Sequence, residues 1–211
     1  MAKTPAQRAA LYGPQATPPR AGVVNSSTAR SPQKAQGNAN LILIAGSVAS
    51  LFLFWYFHLL TLIQMTDLSG GLAMPDSMVF GFGTAHVEAL RAAMNSDALG
   101  QLQFVHKTAG MLFPLVFGLS AVTLIAMNVA KKSLRWVLWA FPVLFAGVQI
   151  WANVAIDNML GGAKLDAGLV TLASVLVVLS WSLLVASLAG LGVALFLGRR
   201  RRRVPATSPE S

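Results

Sequence analysis

Residues 41–63 read LILIAGSVASLFLFWYFHLLTLI, 23 consecutive positions without a formal charge. A helix needs roughly 20 predominantly apolar residues to cross about 30 Å of hydrocarbon, so this run is long enough to span a bilayer. Three more runs have the same character: residues 108–130, 136–156 and 167–197 hold 23, 21 and 31 residues without Asp, Glu, Lys or Arg. The fourth exceeds the hydrocarbon thickness and has room to tilt or project beyond it. Backbone polar groups must be satisfied within a helix when no water surrounds them. The pattern therefore predicts an all-α protein, a bundle of four transmembrane helices.

The polar segments between these runs are sorted by charge. Residues 1–40, the link containing Lys131, Lys132 and Arg135, and the tail Arg199 to Arg203 hold all the Lys and Arg residues except Arg91, Lys107 and Lys164. Six of the seven acids, Asp67, Asp76, Glu88, Asp97, Asp157 and Asp166, occupy the other two segments. Lys and Arg near span ends are retained on the cytoplasmic side, which predicts both termini inside and a bacterial inner-membrane location. The net charge of +9 flanks hydrophobic spans, so its expected partner is an anionic leaflet and not nucleic acid. The first apolar run reads as a retained signal-anchor, because 40 polar residues precede it and no small-x-small cleavage site follows Ile63. With no cysteine, disulfides, thiolate metal sites and a cysteine nucleophile are excluded.

The expected organisation is a disordered basic tail over 1–38, a membrane domain over 39–198 and a second basic tail over 199–211. The first tail has no acid and few bulky apolar residues, too little to offset the entropy of ordering. The outer loop 64–107 is too long for a simple turn. Its first part, with Ser69-Gly70-Gly71 and Met74-Pro75-Asp76, reads as loop. Thr84 is placed to cap a short helix from Ala85 to about Met94, with Val87, Leu90 and Met94 on one face. Ser96 or Asp97 is placed to start a second helix leading into the next span. This short helical cap either covers a site or closes the bundle end. The links Lys131 to Arg135 and Asp157 to Asp166 are short enough to make spans two, three and four antiparallel neighbours.

Span four carries Ser182, Ala186, Gly190, Ala194 and Gly198 at fourfold spacing, a small-residue stripe that lets helices approach closely in lipid. The stripe predicts a packing seam, against either its own bundle or another subunit. In span three, Gln149, Asn153 and Asp157 share one face at i, i+4 and i+8. Polar side chains at that depth turn to partners or to a cavity. They define two readings: interhelical hydrogen bonds, or an outward-facing pocket for a ligand headgroup with His58 and His106 as proton carriers. His58 and His106 lie at similar depths, so a haem b iron held between two imidazoles is a further alternative. No His-x-x-x-His or Glu-x-x-His spacing points to another metal site. Pro114 and Pro142 fall inside spans two and three and can kink them.

Phe80-Gly81-Phe82-Gly83-Thr84, Phe113-Pro114, Phe117-Gly118, Asp157-Asn158 and an Ala-Ser-rich fourth span occur in this order. The arrangement resembles a group of uncharacterised four-span bacterial integral membrane proteins, over residues 41–203. Members carry an acid ahead of the Phe-Pro pair and another a turn before the acid-Asn pair, where this chain has Gly110 and Val154. The resemblance implies the four-span fold and no established activity. The functional expectation is a non-catalytic accessory or scaffold subunit that associates with membrane lipids and with other integral membrane proteins or with itself. The alternative is a small membrane enzyme, or a lipid- or cofactor-binding protein, that uses the polar pocket.

Overall fold

The computed structural model describes residues 32–203, with side chains described from residue 40 to residue 201. The expected tail 1–38 falls largely outside these residues, and its last part is helical from Pro32. The chain divides into two compact units, Met1–Asn40 and Leu41–Ser211, and the second holds the membrane-type bundle. The described residues are helical, with no strand. Helix α1 (Pro32–Phe54) passes through a π-helical segment (Trp55–Thr61) into α2 (Leu62–Leu68), and a 3₁₀ turn follows at Pro75–Ser77. Then come α3 (Thr84–Ala93), α4 (Ser96–Lys107), α5 (Ala109–Asn128), α6 (Lys132–Gly161) and α7 (Ala167–Arg203).

Four stretches are long and apolar enough to cross a membrane, consistent with a multi-pass membrane protein: Asn40–Leu68, Ser96–Asn128, Lys132–Gly161 and Ala167–Arg201. They are called helices one to four below. Helix two runs further than its apolar core suggests, because α4 joins α5 with only a break at Thr108, whose φ and ψ are −111° and −92°. The Thr108 hydroxyl donates to the Phe104 carbonyl at 2.8 Å and satisfies part of that break.

Helices two, three and four form the tightly packed part of the bundle. Gly118 makes the crossing of helices two and three possible, since a Cβ there would lie 3.3 Å from the Pro142 carbonyl oxygen. The Trp139 indole donates to the Val122 carbonyl across the same interface at 3.0 Å. The small-residue stripe of helix four divides. Gly190, Ala194 and Gly198 are buried, Gly190 against Leu138 and Gly198 against Asn128. Ala186 is half-buried and Ser182 is exposed. The lower seam is thus intramolecular.

Helix one packs through its second half, where Phe57, Leu62 and Met65 join the core. Its first half leaves Leu41, Ile42, Ile44, Val48 and Leu51 exposed and approaches the bundle at Gly46, beside Ser120.

The connection from helix one to helix two is folded onto one end of the bundle. Helix α2 ends in a Schellman-type turn: Gly71 N–H donates to Thr66 and Gly70 N–H to Asp67, with φ of 89° and 71° at the two glycines. Met74, Pro75 and Asp76 then turn inward and are buried. Gly81, at φ 86°, presses against helix four, where a Cβ would meet Ser174 Oγ at 2.6 Å. The Phe82 N–H donates to that hydroxyl at 2.9 Å. Thr84 is the first residue of α3 and not its cap: the cap position is Gly83, without a side-chain bond. For α4 the cap is Asn95, whose Oδ1 accepts from the Ala98 N–H at 2.8 Å, in place of Ser96 or Asp97. Arg91, in the last turn of α3, donates to the Gly162 carbonyl just beyond α6 and so brings a cation to the negative end of that helix.

Candidate functional site

The polar face of helix three begins at Gln149, whose amide donates to Asn153 Oδ1 at 3.0 Å. Asn153 Nδ2 donates in turn to the Gly110 carbonyl of helix two at 2.9 Å. Gly110 stands four residues before Pro114, which has no N–H, so its carbonyl lacks the usual helical donor. Asn153 supplies that donor from the neighbouring helix. Gln149 and Asn153 are both buried, and Gly110 leaves room for the amide, since a Cβ at 110 would lie 2.7 Å from Asn153 Nδ2. Asn153 makes the interhelical hydrogen bond, and Gln149 supports it from within the same helix.

One turn on, Asp157 joins a different assembly. Its Oδ1 lies 2.6 Å from His106 Nδ1, and Asp76 Oδ2 lies 3.1 Å from His106 Nε2. His106 is 1% exposed and Asp76 2%. A carboxylate only accepts, so each N···O contact needs a proton, and the three groups together hold two. Two protons placed as imidazolium between two carboxylates, or as neutral imidazole with one carboxylic acid, leave the same net charge of −1. The Asp76 main chain is fixed separately, its carbonyl accepting from Trp181 Nε1 at 2.9 Å. One loop and helices two, three and four therefore converge here.

Asp76 was not singled out by its spacing, since it follows Met-Pro in a segment that reads as loop. The available signal was its setting, an acid flanked by Leu72, Ala73, Met74, Met78 and Val79. Asp76 Oδ1 has no hydrogen-bond partner, and neither does His58 Nδ1.

His58 lies in the π-helical segment, a geometry in which each turn takes an extra residue and which recurs at functional sites. The Thr61 hydroxyl donates five residues back to Tyr56 at 2.9 Å, following the wider turn. His58 sits in an aromatic box, stacked on Phe54 at 4.7 Å with Phe57, Phe113 and Trp181 edge-on at 4.6, 5.5 and 5.3 Å. Phe57 also packs edge-on against His106, at 5.9 Å. With both His106 nitrogens facing carboxylates and Phe57 packed on both rings, the residues do not fit a haem b held between His58 and His106. The carboxylates approach opposite ring nitrogens, and among the described residues no group of three or more His, Asp or Glu side chains is arranged to hold a metal ion.

A cavity of about 190 Å³ opens beside Asp157 and His106, lined also by Gln103, Lys107, Met111, Asn153, Val154 and Asn158. Asp157 is 14% exposed, and His106 faces its Oδ1 alone. Lys107 is exposed and has no carboxylate partner within 4.0 Å among the described residues. Of the other polar residues at this end, Gln64 and Thr171 are exposed, and Ser174 serves the loop backbone. His86 contacts the Ala73 carbonyl at 2.9 Å and helps hold the loop. Comparison with known protein families, with curated proteins and with solved structures finds no match.

Proposed function

We propose that this chain is a bacterial inner-membrane protein with both termini cytoplasmic, and that its outward end binds the polar head of a membrane-resident molecule. The carrying observation is the buried Asp76–His106–Asp157 cluster with its Asp157 side open to a small pocket. Buried charge is expensive unless paired, and a buried ionisable cluster opening onto a cleft is a functional-site candidate. The charge sorting supports the orientation: the cluster lies at the opposite end from Lys131, Lys132 and Arg135. The volume supports the size of the ligand. About 190 Å³ is smaller than the 300–1,000 Å³ typical of sites for drug-sized molecules.

The test is recovery of a bound molecule. Protein purified in nanodiscs should retain one species by native mass spectrometry, and Asp157→Asn should lose it while keeping a cooperative thermal transition. Equal recovery from both proteins, or none from the wild type, would overturn the reading.

A second reading, an accessory subunit, is favoured by the exposed first half of helix one. That surface, from Leu41 to Leu51, meets little of its own bundle and would serve a partner membrane protein or a second copy. Pull-down in mild detergent with tagged protein would recover that partner in stoichiometric amount.

A further inference from the structure

We infer that the pocket takes a zwitterionic aminoalkyl phosphate head, that of an aminophospholipid, with its ammonium on Asp157 and its phosphate on Lys107. This inference rests on the binding reading above and names the ligand class for the same pocket. Three observations lead to it.

The first is depth. Helix α5 has 20 residues, from Ala109 to Asn128, which at 1.5 Å per residue is about 30 Å, the thickness of the hydrocarbon. His106 and Lys107 therefore stand just beyond one hydrocarbon boundary. Helix α6 gives the same boundary independently. Lys132 and Arg135 mark its other end, and counting about 20 residues onward from Trp136 arrives next to Asp157. The pocket between these helices is at headgroup depth.

The second is charge. The cluster carries −1 whichever group holds the protons. Asp157 is the member of the cluster that faces the pocket, with Oδ2 free to accept, because His106 engages only Oδ1. Lys107 offers the opposite charge from the same lining. An ammonium donor suits the carboxylate and a phosphodiester suits the lysine, each as a charge-assisted hydrogen bond. Gln103 and Asn158 add neutral donors and acceptors at the rim.

The third is the apolar side of the lining. Met111 and Val154 lie one turn deeper than Lys107 and Asp157 on their respective helices, and Val154 is exposed. They offer a path for acyl chains into the hydrocarbon. A soluble head has no use for that path.

The experiment uses full-length protein in nanodiscs of mixed phosphatidylethanolamine, phosphatidylglycerol and phosphatidylcholine, followed by native mass spectrometry. Wild type should retain phosphatidylethanolamine ahead of the other two. Asp157→Asn and Lys107→Gln should each lower its occupancy about tenfold, the scale of one charge-assisted hydrogen bond. Lys107 is exposed and outside the buried cluster, so its variant keeps the test valid if Asp157→Asn misfolds. Retention of phosphatidylglycerol, weakened by Lys107→Gln alone, would overturn the zwitterion and leave the pocket standing. Saturation of phosphatidylcholine-only nanodiscs by soluble glycerophosphoethanolamine would overturn the lipid as source. No preference among the lipids, unchanged by either substitution, would overturn the ligand class and the pocket together.

Discussion

At the scale of single residues, the polar face of helix three does two jobs that its regular spacing conceals. The i, i+4, i+8 pattern made Gln149, Asn153 and Asp157 legible as a set, and the fold separates them into two structural amides and one pocket acid. Asn153 compensates for Pro114. A double-mutant cycle should show it: Asn153→Ala should cost about 1–2 kcal/mol in the native background, where it strands the Gly110 carbonyl, and clearly less after Pro114→Ala, which restores an N–H. Thermal or denaturant unfolding in detergent measures both. The buried histidine should be less forgiving. His106→Phe leaves Asp76 buried without its ring partner, and loss of one member of a buried pair costs about 3–5 kcal/mol. Adding Asp76→Leu should recover part of that loss, since a buried apolar group needs no partner. Asp76 itself was not legible, because a periodicity argument has nothing to measure in a loop.

At the scale of elements, the four apolar helices were readable from run length alone, while their irregularities were not. Run length reports hydrophobic thickness, and it is blind to the extra residue in the π turn at Trp55–Thr61. The wider turn absorbs that extra residue, so α1 and α2 keep nearly the phase of one continuous α-helix. Residues 46 and 120 test it: a Cβ at Gly46 lies 3.5 Å from Ser120 Cβ, within the range a disulfide needs. Gly46→Cys with Ser120→Cys should cross-link on mild oxidation, and the chain has no native cysteine to compete. Deleting Leu60 should convert the π turn to α with little change of phase across it, so the cross-link should persist on non-reducing gels, and its loss would show that the π turn does not absorb the residue. Glycines divide in the same element-level way. Gly118→Leu should force helices two and three apart and lower the melting temperature. Gly147→Leu, with nothing within 4 Å of its Cβ, should leave it nearly unchanged.

At the scale of the whole molecule, the charge pattern makes a prediction that a membrane-impermeant maleimide can check. Phe80, 97% exposed in the connection between helices one and two, should react in intact cells as Phe80→Cys. Ser133→Cys, exposed in the first turn of α6 at the other end, should react only after the membrane is opened. The charge pattern was readable because retention of Lys and Arg acts on whole segments. The candidate site was readable only in part: Asp157 and His106 stood out on their helices, whereas Asp76 joins them from a loop far away in sequence. Asp76 meets His106 thirty residues later, His106 meets Asp157 beyond that, and Asp76 meets Trp181 last of all. That order has a consequence in time during synthesis. When Asp76 leaves the ribosome none of its partners exists: its carboxylate waits for His106 on the second helix, and its main-chain carbonyl waits until the fourth helix has been made and docked. A chain stopped before Trp181 should keep the segment around Met74–Ser77 open to protease, and its closure then reports that the last helix has arrived.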